Sequence, residues 1–179
     1  YLIQEGLVYR LMPYENQSKE VEPDIDLMYQ NLITNASYEN LLRSDIYFNS
    51  EDFQARMVEP LRSAFNELAV GLLNKDREDE ARKVLDRAVQ TLYTAHLKPS
   101  FFNLQTADIL LSLGDTATAV KLSAAVFDSS FPEVKESLAN GQSVDQLAAF
   151  LLQRSAELLG RADRLEYGSK LEGLRIFGN

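Results

Sequence analysis

The sequence predicts an all-α protein of stacked helical hairpins, preceded by an irregular N-terminal segment. The first observation is a repeated phrase: VGLLNKDREDEARKVL begins at Val70, and the similarly patterned DILLSLGDTATAVKLS begins 38 residues later at Asp108. The second is that apolar residues recur at helical intervals on both sides of each polar break. Because one hairpin cannot bury both of its faces alone, we expect each hairpin to stack on a neighbour in a tetratricopeptide-like right-handed superhelix.

The two copies of the phrase align at their alanines. From Phe65 to Leu73, apolar residues recur every three or four positions, which places them on one face of a helix. Small alanines at the contact allow two helices to approach closely. The aligned pairs are Ala69 with Ala107, Leu72 with Leu110, Leu73 with Leu111, and Ala81 with Ala119. Each copy is therefore predicted to be a helix, a short turn and a second helix.

Turn residues mark where these helices end and begin. Gly114 is expected just after one helix and Asp115 at the start of the next, because glycine favours helix C-termini and aspartate favours N-termini. In the first copy, Asn74 is expected to close a helix and Asp76 to open the following one. Pro60 either kinks one long helix or stands in the first turn of a second helix.

A third helix pair is predicted over 144–159 and 162–176. Ser143 and Gln146 have the spacing of a capping box at its start. A short helix followed by a loop is expected between the second and third pairs, after Pro132. The residues predicted to share one apolar stripe of the third pair are Leu147, Phe150, Leu151 and Leu158.

The N-terminal segment differs from the rest of the chain. We predict an irregular, tyrosine-rich segment over 1–50, packed on a helical repeat domain over 51–179. GLVYRLMPY and DIYFNS are two short extended pieces and candidate strands, and ENQSKEVEP between them is polar and expected to be mobile. DIDLMYQNLI is expected to form a short helix capped by Asp24, and its inward residues are Ile25, Leu27, Met28 and Leu32.

Six of the eight tyrosines lie in this segment, at positions 1, 9, 14, 29, 38 and 47. They are expected to cover the end of the helical stack or to dock a neighbouring domain. Contact with a partner or a glycan is the alternative, because tyrosine rings combine an apolar face with a hydrogen-bonding hydroxyl.

Composition excludes several classes of function. The net charge of −9 repels phosphate groups, so nucleic acid and direct lipid binding are disfavoured as partners. The chain has no cysteine, which removes disulfides and thiolate metal sites. No apolar run is long enough to span a membrane. Because the chain begins at Tyr1 without a signal peptide, we interpret it as a piece of a longer protein.

No catalytic, cofactor-binding or metal-ligating residue is predicted. His96 is the single histidine, and we interpret it as a surface or helix-end residue because it has no partner ligands in the sequence. The acids from Asp76 to Glu80 lack the glycine of a calcium loop and suit the first turn of a helix. Asp24 and Asp26 have the spacing of the D-x-D motif of sugar-nucleotide enzymes, but a helix cap and a solvent-facing acid are favoured.

The hairpins resemble tetratricopeptide repeats. In that family small residues occupy the eighth and twentieth positions and an apolar residue the eleventh, which Ala69, Ala81 and Leu72 match in the first copy. The period here is 38 rather than 34, and Asn103 and Ser123 stand where the family has larger side chains.

A second resemblance covers most of the chain. EGLVYRLMP, DLMYQNL and DIYFNSEDFQARMVEPLRSAFNELAVGLLNKDREDEARKVLDRAV are similar to the C-terminal soluble region of a Bacteroidetes family of polytopic membrane proteins. That family is of unknown function and distantly similar to protein mannosyltransferases. The resemblance implies a membrane-embedded region before Tyr1, a periplasmic location, and catalytic residues outside this chain.

The favoured function is therefore a non-catalytic accessory domain that binds or positions a protein partner or acceptor polypeptide. The first helix of each hairpin is expected to line a concave binding face. The residues expected on that face are Ser63, Asn66, Val70, Asn74, Phe101, Leu104 and Asp108. Two alternatives stay open: a small glycan-handling enzyme or lectin-like domain that uses carboxylates, and a purely structural spacer.

Overall fold

The computed structural model describes residues 2–13, 22–43, 50–94 and 96–174, and its architecture confirms the all-α class. The chain forms two compact units, Tyr1–Lys98 and Pro99–Asn179. The division that the sequence suggested at residue 50 falls inside the first unit.

The first unit contains three short strands and four α-helices in its described part. The strands are β1 (Leu2–Gln4), β2 (Tyr9–Leu11) and β3 (Glu22–Pro23), and the helices are α1 (Ile25–Tyr29), α2 (Ser50–Phe53), α3 (Glu59–Leu73) and α4 (Glu78–Leu92). π-Helical turns over Gln30–Asn35 and Gln54–Val58 follow α1 and α2, and a 3₁₀ turn spans Glu39–Leu42. In the sheet, β1 lies between an antiparallel β2 and a parallel β3.

The two predicted extended pieces have different outcomes. GLVYRLMPY contains β2, so a strand is confirmed there. DIYFNS lies outside the described residues except for Ser50, which begins α2. Most of the polar stretch ENQSKEVEP also lies outside them.

Helix α1 docks on α3, as its apolar pattern requires. Asp24 accepts a hydrogen bond from the Leu27 backbone N–H (3.1 Å), which confirms the predicted cap. Ile25 and Met28 are buried in the contact with α3. Gly71 on α3 makes this close approach possible, because a β-carbon there would lie 2.1 Å from Ile25 Cδ1.

Helices α3 and α4 form the first predicted hairpin. Ala69 and Ala81 are fully buried, as the repeat requires. Asn74 closes α3 as predicted, but Asp76 does not open α4. Asp76 instead takes a left-handed backbone conformation (φ 57°), which aspartate tolerates better than most residues, and Arg77 occupies the N-cap position.

Pro60 lies in the first turn of α3, immediately after the π-helical turn. The wider hydrogen bonding of that turn, in which Glu59 N–H donates to Gln54 O, accommodates a proline that lacks its own N–H. Pro60 thus stands in the first turn of α3, although helical backbone continues without a break from α2 through the π-helical turn into α3.

The second unit contains four described helices. They are α5 (Phe101–Ser112), α6 (Thr116–Ala139), α7 (Gln146–Arg161) and α8 (Leu165–Gly173). Gly114 takes a positive φ of 84° directly after α5, and Asp115 caps α6 by accepting from Thr118 N–H (3.1 Å), so both predicted signals are confirmed. Ala107 and Ala119 are buried at the positions equivalent to the first hairpin.

Two predictions about the boundaries in this unit were wrong. Helix α6 continues through Pro132 to Ala139 instead of breaking there. Flanking contacts, in which Val134 is fully buried beside Phe127, hold the helix together across the missing N–H. The predicted capping box at Ser143 is also absent, because Asp145 caps α7 through a 2.9 Å bond from Ala148 N–H.

The predicted apolar stripe of α7 was wrong for Leu147 and Phe150, whereas Leu158 is buried as predicted. Leu147 and Phe150 are exposed, whereas smaller or differently phased residues form the contact with α6. The inward side of α7 is offset from the predicted stripe, so Leu152 and Leu159 are buried while Leu147 and Phe150 are exposed. The α7 residues in the core cluster are Ala148, Leu152, Ala156 and Leu159.

Among the described helices, none is both long enough and apolar enough to cross a bilayer.

Candidate functional site: the exposed face of α5 and α7

Helices α5 and α7 pack side by side in the second unit, and each keeps one face exposed. Phe101 on α5 lies beside Phe150 on α7, with ring centroids 5.9 Å apart. Farther along α5, Asp108 contacts Arg154 and Arg161, which lie farther along α7. Since the contacts advance together along both helices, the two helices run in the same direction. We call the surface formed by Phe101, Asp108, Leu147, Phe150, Arg154 and Arg161 the α5–α7 face.

One end of the α5–α7 face is apolar. Phe101 is 37% exposed, Phe150 is 49% exposed and Leu147 is 60% exposed. Phe101 is also 6.1 Å from the ring of Phe102, its neighbour on α5. Adjacent exposed apolar side chains of this size are typical of a contact surface, whereas isolated ones are common on any protein.

The other end of the face is ionic. One carboxylate oxygen of Asp108 accepts from Arg154 Nη2 (3.3 Å), and the other accepts from Arg161 Nη1. Arg154 also donates to Glu157 on its own helix (3.1 Å). Asp108 thus holds two guanidinium groups of α7 over α5.

The structure places the predicted surface residues in different environments. Phe101 and Asp108 lie on the α5–α7 face. In the first unit, Val70 and Asn74 are exposed on α3 and at its end, and the Ser63 hydroxyl donates to Glu67 Oε1 (3.2 Å).

Two residues expected on the binding face are buried instead. Asn66 is only 5% exposed inside the first unit, and Leu104 is only 2% exposed inside the second. Both lie one helical turn from a repeat alanine, Ala69 or Ala107, and so share its inward direction. These two side chains belong to the cores of their units and do not form a surface.

Sequence reasoning missed the residues of α7 on this face. Leu147 and Phe150 were assigned to the core by their helical spacing, and Arg154 and Arg161 were not singled out. Their spacing of seven residues, which brings both arginines to one side of a helix, was the available signal.

Two further arginines organise the first unit. Arg62 is fully buried and donates to Leu92 O through Nε (3.1 Å) and Nη2 (2.7 Å), and to Lys98 O through Nη1 (2.9 Å). Leu92 is the last residue of α4, so the cation satisfies a carbonyl group at the negative end of that helix. Burial lowers the pKa of Arg62 from its usual value.

Arg77 links the start of α4 to α1. Its Nε and Nη2 each lie 2.8 Å from an oxygen of Glu80, and its Nη1 pairs with Asp26. Hydrogen bonds from Arg77 lower the pKa of both carboxyl groups. A general acid in glycoside hydrolysis needs a raised carboxyl pKa, so these two acids are shifted in the opposite direction.

The remaining candidates for chemistry are not gathered into a site. His96 is exposed after α4. In the described part of the chain, no group of three or more histidine and carboxylate side chains has the arrangement of a metal site. Of the tyrosines, Tyr38 is buried against Phe65 and donates to Leu32 O (2.8 Å), which is a packing role, while Tyr9 is exposed on β2.

Comparison with known proteins adds no assignment: no protein family, no curated protein and no solved structure matches this chain.

Proposed function

We propose that this chain is a non-catalytic domain that binds or positions a polypeptide. The observation that carries the proposal is the α5–α7 face, where exposed phenylalanines and a pair of arginines lie together on two parallel helices. Parallel first helices of successive hairpins offer a continuous surface to an extended chain, which is how helical repeats bind their partners.

The chemistry of the described residues favours binding over catalysis. The acids with clearly shifted pKa values are held ionised by Arg77. The side chains of the α5–α7 face are those enriched at protein contacts, namely aromatic residues and arginine.

The resemblance to the soluble region of Bacteroidetes membrane proteins extends the proposal to a cellular setting. In that setting the domain lies on the periplasmic side of the cytoplasmic membrane, as an accessory region of a glycosyltransferase-like protein. Its partners are then an acceptor polypeptide and the membrane-embedded region of the same chain.

An array of short synthetic peptides, probed with the labelled protein, tests the proposal. The wild type is expected to retain a subset of peptides, and Phe150→Ser is expected to lose them because the aromatic end of the face is removed. Leu165→Ser is the matched control, since Leu165 is an exposed apolar residue on α8, outside the face.

Two results would contradict the proposal. One is that the wild type retains no peptide above background. The other is that Phe150→Ser retains the same peptides with the same intensity as the wild type, which would place binding elsewhere.

A further inference from the structure

The two ends of the α5–α7 face differ in chemistry, and this difference indicates what the bound segment contains. Resting on the proposed function, we infer that the face binds an extended polypeptide segment in which an aromatic side chain lies about three residues from a carboxylate.

The ionic end holds two acids and two arginines, but the two arginines do not share the acids equally. Arg154 lies between two acids, Asp108 and Glu157, and Glu157 also accepts from Gln153 (3.1 Å). Arg161 donates through Nη1 to Asp108, and the same carboxylate also accepts a hydrogen bond from Arg154. Its side chain is 51% exposed. A guanidinium carries five N–H donors, so the exposed edge of Arg161 has donors to offer a carboxylate from solution.

Asp108 positions this edge. By binding both guanidiniums it holds Arg161 against α5, which reduces the side-chain entropy lost when a ligand carboxylate arrives. A rigid planar fork suits a carboxylate better than a flexible ammonium group does.

The apolar end accepts a ring. Phe101 and Phe150 lie 5.9 Å apart at a 42° tilt, and both remain partly exposed. A third ring placed against them buries apolar area and makes the offset or edge-on contacts that aromatic pairs prefer.

The distance between the two ends sets the spacing in the ligand. Phe101 and Asp108 are seven residues apart on α5, which corresponds to about 10 Å at ~1.5 Å of rise per residue. An extended chain advances ~3.3 Å per residue, so about three residues span that distance. The net charge of −9 disfavours a nucleic acid in this role.

The chain contains no tryptophan, so a tryptophan in a synthetic peptide gives a fluorescence signal that belongs to the peptide alone. Two probe peptides, GSWGSEGS and GSEGSWGS, cover both chain directions. In the matched controls, glutamine replaces the glutamate. Titration of each peptide with the 179-residue protein gives its Kd.

We expect at least one glutamate peptide to bind about 10-fold or more tightly than its glutamine counterpart, because a charge-assisted hydrogen bond is lost in the latter. Arg161→Ala should remove this difference, and Arg161→Lys should restore only part of it. Phe150→Ser should weaken the binding of all the peptides. Arg56→Ala, at an exposed arginine of the first unit, should leave every Kd unchanged.

Each other outcome overturns the inference in a distinct way. If glutamate and glutamine peptides bind equally and Phe150→Ser abolishes binding, the face binds polypeptide but does not recognise a carboxylate. If all the probe peptides fail while the array still yields peptides that depend on Phe150, the proposed three-residue spacing is wrong. If neither the probes nor the array yields binding, the proposed function fails as well.

A second copy of the chain is the competing occupant. Sedimentation of the wild type at the concentrations used in the titrations tests it. A monomer supports the inference, whereas a dimer that Phe150→Ser dissociates would make the face a self-association surface and overturn it.

Discussion

Arg62 joins three parts of the first unit through one buried cation. Its guanidinium reaches Leu92 O, Lys98 O and Glu59, and it lies 4.7 Å from the centre of the Tyr93 ring. Gln54 donates to the same Lys98 carbonyl (3.1 Å). The segment that follows α4 is therefore tied to α3 by hydrogen bonds from a buried guanidinium.

Replacing Arg62 should leave those carbonyl groups without their cationic donor. We expect Arg62→Ala to lower the free energy of unfolding by about 3 kcal/mol. Removing one member of a buried charged network leaves its partners buried without their hydrogen bonds. Urea denaturation measures this. Arg56→Ala, which removes an exposed pair with Asp52, should cost less than ~0.5 kcal/mol. Equal costs for the two variants would contradict the role assigned to Arg62.

Tyr38 should make stability depend on alkaline pH. Burial raises the pKa of Tyr38 from 10.0 to about 12. Because the folded-state pKa is the higher one, its contribution is complete below pH 10 and is lost as the pH rises towards 12.

The test compares the wild type with Tyr38→Phe. Near pH 7 the substitution should cost about 1 kcal/mol, since the hydrogen bond to Leu32 O is lost. That cost should shrink between pH 10 and about 12. Urea denaturation across this pH range measures the difference, and Tyr9→Phe on exposed β2 serves as the control. A cost that stays constant with pH would show that Tyr38 ionises normally.

At the scale of elements, the contact between α1 and α3 depends on a position without a side chain. A β-carbon at Gly71 would lie 2.1 Å from Cδ1 and 2.9 Å from Cγ1 of buried Ile25. Gly71→Ala is therefore expected to destabilise the protein by about 1–3 kcal/mol, although alanine favours helices. Ile25→Val, which removes Cδ1, should recover part of that loss in the double variant.

Gly160 provides the matched control for Gly71. A β-carbon at this position on α7 would meet nothing within 4 Å, so Gly160→Ala should stabilise by about 0.5–1 kcal/mol. Thermal unfolding of Gly71→Ala, Ile25→Val, their double variant and Gly160→Ala gives the comparison. If Gly71→Ala stabilised as much as Gly160→Ala, the close approach of α1 to α3 would be refuted.

Helix α6 is predicted to gain stability when its internal proline is removed. Pro132 is exposed and lacks the N–H that a helix interior needs. Pro132→Ala should raise the free energy of unfolding by about 1–3 kcal/mol, whereas Ser129→Ala on the same helix should change it by only a few tenths. Circular dichroism during thermal unfolding measures both. A loss of stability in Pro132→Ala would mean that α6 requires a bend at this position.

Helix positions were predictable because they depend on local patterns. The alanines and leucines of the repeat, the glycine at position 114 and the cap at Asp115 each act within a few residues. The local pattern wrongly predicted a helix break at Pro132, because packing of the residues around it outweighs the lost hydrogen bond. The outward direction of Phe150 was also not predictable from local spacing, because the contact with α6 uses another side of α7, which carries Ala148, Leu152, Ala156 and Leu159.

At the scale of the whole molecule, the hairpin plan follows from the sequence and the surface does not. Phe101 and Asp108 were predicted on an exposed face and lie on one, while Asn66 and Leu104 were predicted there and are buried. Helical periodicity assigns residues to faces. It does not say which face a neighbouring helix will cover, so Arg154 and Arg161 became visible as partners of Asp108 only in three dimensions.

The most direct test of polypeptide binding by the α5–α7 face is an NMR titration of the isotope-labelled protein with the peptide it binds most tightly. Amide shifts are predicted to cluster in α5 and α7, around Phe101, Asp108, Phe150 and Arg161. Shifts confined to other elements, or spread evenly over the chain, would contradict the account.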